Sequence, residues 1–371
     1  MIKVLHVISD KNIGGAGRLL LNLLKEADRE KFDISVALPN GSLLIPRIEA
    51  LGIKVFKLRG GTSSSELSAI REVRKIIKKE NPQIVHTHSA LFARIAAHAC
   101  GVPVKLNTKH CSLEVSGNIG FTKKAATKIF DALFTDHTIA TAEYAKKRLV
   151  AEGIAQSKIS VIINGSLPIT ELTEKEKSAI RAQLGYADDD FIAGMVARLE
   201  RGKGQEIFIQ AARLCQKDHP KIKFLIVGDG SLENELKNSA RGLDNVKFLG
   251  FLPDVTEIMN ILDANVNCSY ISETSSLSLS EGMSVGAIPI VSDCGGNAFM
   301  AKDCGFVIPK KDSRALCEKL ICLSSDPNQR EKLKKASRER FFAQFTSKRM
   351  AKETENLYFE LLKARRPIDK T

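Results

Sequence analysis

The chain has 371 residues, a net charge of +13 and 43% hydrophobic residues. That length suits two domains, each with its own core, and no apolar run approaches the roughly 18 residues of a membrane-spanning helix. Tryptophan is absent and aromatic residues make up only 6%, which disfavours the stacking platforms of single-strand nucleic-acid binding. The positive charge favours polyanions: nucleic acid, anionic lipid or phosphorylated substrates.

Residues 2–8 read as a buried parallel strand ending in Asp10, not as a signal peptide. A cytoplasmic location is therefore expected. The eight cysteines include no C-x-x-C pair and no histidine at zinc-ligand spacing, so they read as reduced and mostly core-filling. The glycine-rich turn 12–17 follows, with Gly14 and Gly15, and residues 18–24 open an apolar-striped helix. Strand, glycine turn and helix together let backbone amides approach a phosphate or sugar. The turn is neither G-x-G-x-x-G nor a P-loop.

Strands and helices then alternate: strands at 32–38, 53–58, 82–88 and 104–108, helices at 44–51, 66–80 and 90–99. Such repetition predicts a parallel sheet covered on both faces. His86, His88 and His110 fall at or just beyond strand ends. Alternation puts His86 and His88 on one face of a strand, where they could ligate a metal, but no third ligand is evident. Residues 120–134 place Lys123, Lys124 and Lys128 on a helix with Phe121, Ile129, Phe130, Leu133 and Phe134. Two readings stand: a basic amphipathic face for anionic lipid, or an ordinary half-buried helix with solvated lysines. A strand at 137–140, a helix at 142–152 and a strand at 159–163 lead to Asn164-Gly165-Ser166. The polar run 170–177 after this break reads as a linker between domains.

A second parallel unit begins at Phe191. Its first strand ends in Arg198, and the loop to Gly204 brings Arg198 and Lys203 to the amino end of a helix at 205–216, where free N–H groups add to an anion site. A solvated basic loop is the alternative. The strand 223–227 runs into the tight turn Gly228-Asp-Gly230. After a strand at 264–268, Glu273 stands in a loop and Glu281 about two turns into a helix expected at 275–285. Carboxylates there suit sugar hydroxyls, and the helix amides near Ser276 and Leu277 suit phosphate. The competing reading is a capping box, Ser278-x-x-Glu281, with Glu273 an exposed loop acid. Residues 313–365 are mostly helical; the stretch Glu355-Asn-Leu-Tyr-Phe-Glu360 nearly spells a protease-cleavage tag but sits within helical periodicity.

Together these stretches resemble the family 4 glycosyltransferases of GT-B fold. The resemblance rests on Gly14-Gly15, His86-Thr-His88 with Thr108-Lys-His110, Val161 to Gly165, Arg198 with Lys203-Gly204, and Glu273-x7-Glu281 with Gly295-Gly296, and covers about residues 1–365. It implies an α/β chain of two Rossmann-like parallel-sheet domains facing each other across a cleft. Residues 1–164 would bind the acceptor and 165–348 the nucleotide sugar, with 349–371 a helix crossing back to the first domain.

The resemblance further implies a retaining transfer from a nucleotide-diphosphate sugar to a glycan or lipid-linked acceptor. His110, Glu273, Arg198 and Lys203 would be catalytic; Gly14, Gly15, Asn164, Gly228, Gly230, Ser276, Leu277 and Glu281 would bind substrate. Arg198 and Lys203 would grip the diphosphate in place of a metal, so no metal or cofactor is expected. The expected partners are the donor, the acceptor and an anionic membrane surface on its cytoplasmic face, not nucleic acid. A GT-B epimerase or phosphorylase, or a silent membrane-associated scaffold, are the alternatives. Two departures bear on sugar identity: Thr274-Ser-Ser-Leu-Ser-Leu-Ser280 stands where the family often has a proline and bulky apolar residues, and Asn297-Ala298 stands where many members carry a second acid.

Overall fold

The computed structural model describes residues 1–63, 66, 68–110 and 121–365. Contacts divide the chain into two compact units, 1–165 with 347–371, and 166–346.

In the first unit, strands and helices alternate as β1 (Ile2–Ile8), α1 (Gly15–Glu26), β2 (Phe32–Pro39), α2 (Ile45–Glu49), β3 (Lys54–Leu58), α3 (Ser68–Glu80), β4 (Ile84–His88), α4 (Leu91–Ala99), β5 (Val104–Lys109), α5 (Phe121–Phe134), β6 (His137–Ala140), α6 (Glu143–Ala151) and β7 (Ile159–Val161). Among the described residues the strands form one seven-stranded parallel sheet in the order β3-β2-β1-β4-β5-β6-β7. The order reverses between β1 and β4, the switch point at which loops splay apart and ligands enter. β1 is a nearly continuous apolar run, as helix cover on both faces favours, whereas β4 and β5 carry the buried polar residues His86, Thr87, His88, Asn107 and Thr108. Leu5, Val7, Val85, Phe92 and Val73 pack into one cluster between sheet and helices.

The second unit contains α7 (Glu174–Gln183), β8 (Phe191–Val196), α8 (Gln205–Cys215), β9 (Ile222–Val227), α9 (Glu233–Ser239), β10 (Val246–Gly250), α10 (Thr256–Ile261), β11 (Ala264–Asn267), α11 (Leu277–Ser284), β12 (Ile288–Ser292), α12 (Asn297–Ala301), β13 (Phe306–Ile308), α13 (Ser313–Ser325) and α14 (Pro327–Gln344). Its parallel sheet runs β10-β9-β8-β11-β12-β13, with the reversal between β8 and β11. Phe208, Phe224, Ile226 and Leu320 anchor its core. Both units are therefore Rossmann-like.

The last helix, α15 (Ser347–Arg365), belongs to the first unit. It buries Met350, Ala351, Leu357 and Tyr358, and its Glu355 carboxylate accepts from the Asp28 amide at 2.8 Å.

Several boundaries differ from the sequence reading. The helix expected at 18–24 begins at Gly15, because Gly14 caps it with extended backbone and its carbonyl accepts from Arg18 N at 3.0 Å. The run at 170–177 is not all linker. Thr173 and Glu176 form a reciprocal capping box that opens α7. Gly120 lies outside the described residues.

Candidate active site

In the second unit the loops that follow β8, β11 and β12 meet at the carboxyl edge of the sheet. Glycines set how closely they pack. Gly204 has φ +86°, and a Cβ there would lie 2.2 Å from the Cys268 carbonyl. Gly228 and Gly230, at φ +135° and +156°, would put a Cβ 2.0 and 2.4 Å from the Ala197 and Leu199 carbonyls. The β8 and β9 loops thus close on each other, a contact only glycine allows. Gln205, wholly buried, donates from Nε2 to the Arg198 carbonyl at 2.8 Å. That bond fixes the backbone beneath the exposed Arg198 side chain.

Lys203 Nζ lies 2.9 Å from Glu273 Oε2. The same carboxylate oxygen accepts from Ser269 Oγ at 3.1 Å and from Asn267 Nδ2 at 3.3 Å. Glu273 is therefore positioned, not a loose loop acid. Its carbonyl accepts from Gly296 N at 3.1 Å, and a Cβ on Gly295 would fall 1.9 Å from that carbonyl. The Gly295-Gly296 turn thereby clamps the loop that carries Glu273.

Ser276 caps α11, its hydroxyl accepting from Leu279 N at 3.4 Å. The Ser278–Glu281 capping box does not form: the extended backbone lies at Ser276, so Ser278 is already helical. Glu281 is the fifth residue of α11, about one turn from its start instead of two, and is 7% exposed. Asn297, the departure noted above, turns inward, and its Nδ2 lies 3.4 Å from Asn267 Oδ1.

The first unit holds a different cluster. His6 on β1 stands in register with His86 on β4, and His86 and His88 share a face as alternation requires. His88 Nδ1 lies 2.8 Å from His110 Nε2, and His88 Nε2 lies 3.1 Å from His6 Nδ1. His86 Nε2 meets Thr108 Oγ1 at 2.7 Å, while its Nδ1 meets Tyr358 Oη of α15 at 2.6 Å. Tyr358 Oη also lies 3.4 Å from His6 Nε2. Burial holds His6 down at about 3 and His110 at about 4. His86 and His88 are lowered well below the ordinary range, first by burial and then by their histidine neighbours. All four imidazoles are neutral at pH 7. Tyr358 is raised well above the usual phenol value, mainly by burial.

Sequence reading missed His6 and Tyr358. The available signal for His6 was its place near the end of the first strand, level with the histidines of the fourth. His6 is also the third nitrogen donor that seemed lacking: His6, His86 and His88 each place a ring nitrogen within 4.8 Å of the others. The His88 ring stacks on those of His6 and His86 at 19° and 24°, and the His6 and His86 rings are tilted at 39° to each other. A ring-nitrogen lone pair lies in the ring plane, so the stacked His88 ring does not aim a nitrogen at an ion shared with His6 and His86. Their ring nitrogens are instead taken up in hydrogen bonds: His6 with His88 and Tyr358, His88 also with His110, and His86 with Tyr358 and Thr108.

Gly14 caps α1 and sits close to Asp10, whose Oδ2 would be 3.2 Å from a Cβ there. Gly15 has open space where a Cβ would stand. Asn164 is buried just beyond β7.

Comparison with known proteins bears on this arrangement. Residues 13–166 match Glycosyltransferase Family 4, and residues 176–340 match Glycosyl transferases group 1. The chain is 30% identical over 356 residues to the Escherichia coli UDP-Gal:alpha-D-GlcNAc-diphosphoundecaprenol alpha-1,3-galactosyltransferase, covering 88% of each chain. This chain belongs to glycosyltransferase family 4. Solved glycosyltransferases share its GT-B fold. A glycosyltransferase from Rickettsia africae superposes with a TM-score of 0.83 at 20% identity, covering 98% of this chain and 99% of that one. Anabaena Alr3699/HepE in complex with UDP-glucose gives 0.83 at 20% identity, covering 97% and 100%. Within this glycosyltransferase, Arg198, Lys203, Glu273, Ser276 and Glu281 all fall in the group 1 match, and His86, His88 and His110 in the family 4 match. His6 and Tyr358 lie outside both.

Proposed function

We propose that this glycosyltransferase moves a sugar from a nucleoside-diphosphate sugar to a glycan or lipid-linked acceptor, with retention at the anomeric carbon, in the synthesis of a surface polysaccharide or glycoconjugate. The observation that carries the reading is the Lys203–Glu273 pair, 2.9 Å apart at the sheet edge. It sets a cation for phosphate beside a carboxylate for sugar hydroxyls, next to the amino end of α11. Arg198 and Lys203 hold the diphosphate, and the first amides of α11, near Ser276 and Leu277, add to them. Glu281 accepts from the nucleotide ribose, and Glu273 from the transferred sugar. His110 lies beside the reacting sugar, and the Gly14-Gly15 turn admits donor phosphate and acceptor. Asn164, Gly228 and Gly230 shape the rest of the binding surface.

The acceptor hydroxyl forms its bond to the anomeric carbon on the face from which the diphosphate leaves. Its proton passes to a diphosphate oxygen. Negative charge grows on that leaving group, and the two fixed cations stabilise it most in the transition state. They fill the role that a divalent ion fills elsewhere, so turnover is expected to be independent of metal.

The names of relatives support the donor and acceptor classes: one is a UDP-Gal-dependent enzyme whose acceptor carries diphosphoundecaprenol, and one is described with UDP-glucose. Among the described residues no helix is long and apolar enough to cross a membrane. Helix α5 instead exposes Ile129, Phe130 and Leu133 beside Lys124 and Lys128. That face suits reversible contact with an anionic leaflet on its cytoplasmic side, where a lipid-linked acceptor would lie.

A panel of uridine, guanosine and thymidine diphosphate sugars, incubated with and without EDTA, tests the reading. Mass spectrometry follows sugar and nucleoside diphosphate release. One donor should be consumed by the native enzyme and spared by Lys203→Ala. Consumption of none, or equal consumption by the variant, would overturn it.

A further inference from the structure

The buried histidines do not merely fill the first unit. Traced atom by atom, they form one chain: Thr108 Oγ1, His86, Tyr358 Oη, His6, His88 and His110, with links of 2.7, 2.6, 3.4, 3.1 and 2.8 Å. A neutral imidazole has one N–H donor and one accepting nitrogen. Each choice therefore forces the next, and only two orders satisfy every link while also giving the Tyr358 proton an acceptor within the chain.

In the first order Tyr358 donates to His86 Nδ1, and His86 Nε2–H donates to Thr108. His6 Nε2–H then donates to Tyr358 Oη, His88 Nε2–H to His6 Nδ1, and His110 Nε2–H to His88 Nδ1. In the second order every bond reverses and all four histidines carry the proton on Nδ1. The two orders hold equal numbers of protons.

The geometry decides between them. An O–H donor makes a shorter bond than an N–H donor. Tyr358 Oη lies 2.6 Å from His86 Nδ1 but 3.4 Å from His6 Nε2. The second order would need an O–H donor across that 3.4 Å link, beyond the usual reach of about 3.0 Å, whereas the 2.7 Å Thr108 link still fits an N–H donor, so the Tyr358 proton points to His86. We infer that Tyr358 is a positioning residue that, through His6 and His88, holds His110 as the Nε2–H tautomer with Nδ1 as its accepting nitrogen. The role of His110 beside the sugar rests on the proposed function above. The proton order itself does not.

Histidine nitrogens report tautomer directly. The enzyme is labelled with 15N-histidine, and two-bond proton–nitrogen spectra are recorded at pH 7.5, assigned from single His→Asn variants. His6, His86, His88 and His110 should all show a protonated Nε2 and a bare Nδ1. A mixed set, or a cationic ring among the four, overturns the inference.

Tyr358→Phe keeps the ring and removes the hydroxyl. It leaves His6 Nε2–H facing no acceptor, and a buried orphan donor is costly. His110 should shift measurably toward Nδ1–H. If the two tautomers become equal, the competent fraction and hence kcat fall about twofold with KM unchanged.

Thr108→Val, at the far end of the chain, strands His86 Nε2–H in the same way. It should move the His110 signals in the same direction. A purely local packing effect of Tyr358 would not be reproduced from Thr108. Unchanged His110 nitrogen shifts in both variants would refute the chain. Loss of sugar-nucleotide turnover in the native enzyme would count against the functional reading alone.

Discussion

Acidification should destabilise the first unit well before its carboxylates titrate. In the fold, burial holds His6 at about 3 and His110 at about 4. In the unfolded chain each returns to about 6.5. Above that value both states are neutral and the full stability is present. Below it the unfolded chain binds more protons, so stability falls as pH falls, until the folded values are reached. The slope is about 1.4 kcal/mol per pH unit for each such histidine. Between pH 6.5 and 5.0 that is about 2 kcal/mol each, or about 4 kcal/mol for His6 and His110 together, with His86 and His88 acting in the same direction. Typical stabilities are only about 5–15 kcal/mol. Urea unfolding followed by far-ultraviolet circular dichroism at pH 7.5, 6.0 and 5.0 measures the loss. The first transition should move to markedly lower urea at pH 5.0 with little change in slope. A drop in unfolding free energy below about 1 kcal/mol over that range would show that the cluster opens to water or shares its protons, and would refute the reasoning.

Other consequences concern catalysis and the membrane. Arg198→Ala and Lys203→Ala should each lower kcat by about 10²–10³, the usual cost of losing one contact to developing negative charge; near-normal turnover in both would remove the diphosphate assignment. Glu281→Ala should weaken binding of a free nucleoside diphosphate, whereas Glu273→Ala should chiefly slow transfer. Calorimetric titration separates them, and equal affinity losses would contradict that division. The native enzyme should sediment with anionic vesicles at low salt and be released as screening shortens to about 8–10 Å. Changing Lys124 and Lys128 to Glu should reduce this more than the same changes at Lys78 and Lys79, and binding to neither vesicle type would point to a water-soluble acceptor.

The fold was legible because parallel strands and covering helices leave strong periodic marks, and the turn glycines sit where strands end. Local polar chemistry was harder to read. Ser276 and Ser278 are equally good caps on paper; only backbone geometry selects the first, which makes Glu281 the fifth helical residue, where a cap at Ser278 would make it the third. The opposite error occurred at Thr173, where a capping box was taken for linker because the following residues are so charged. Glu273 and Lys203 were found separately, as a loop acid and a loop cation. Their pairing depends on Gly204 and Gly295, whose left-handed backbones let the loops of β8 and β12 touch the loop of β11.

The histidine cluster shows why some of the site could not be read at all. Its links join residues 352 positions apart, from His6 on the first strand to Tyr358 on the last helix. Alternation can pair His86 with His88, but it cannot say which strand lies beside β4 or what a distant helix lays over it. Strand order supplies His6, and the docking of α15 supplies Tyr358. A phenol there is uncommonly useful: it can donate to one imidazole while accepting from another, which neither a phenylalanine nor a carboxylate can do. The helix that closes the first unit thereby becomes part of what sets the proton on His110. Two glycosyltransferases could match over residues 13–166 and 176–340 and still differ at that nitrogen.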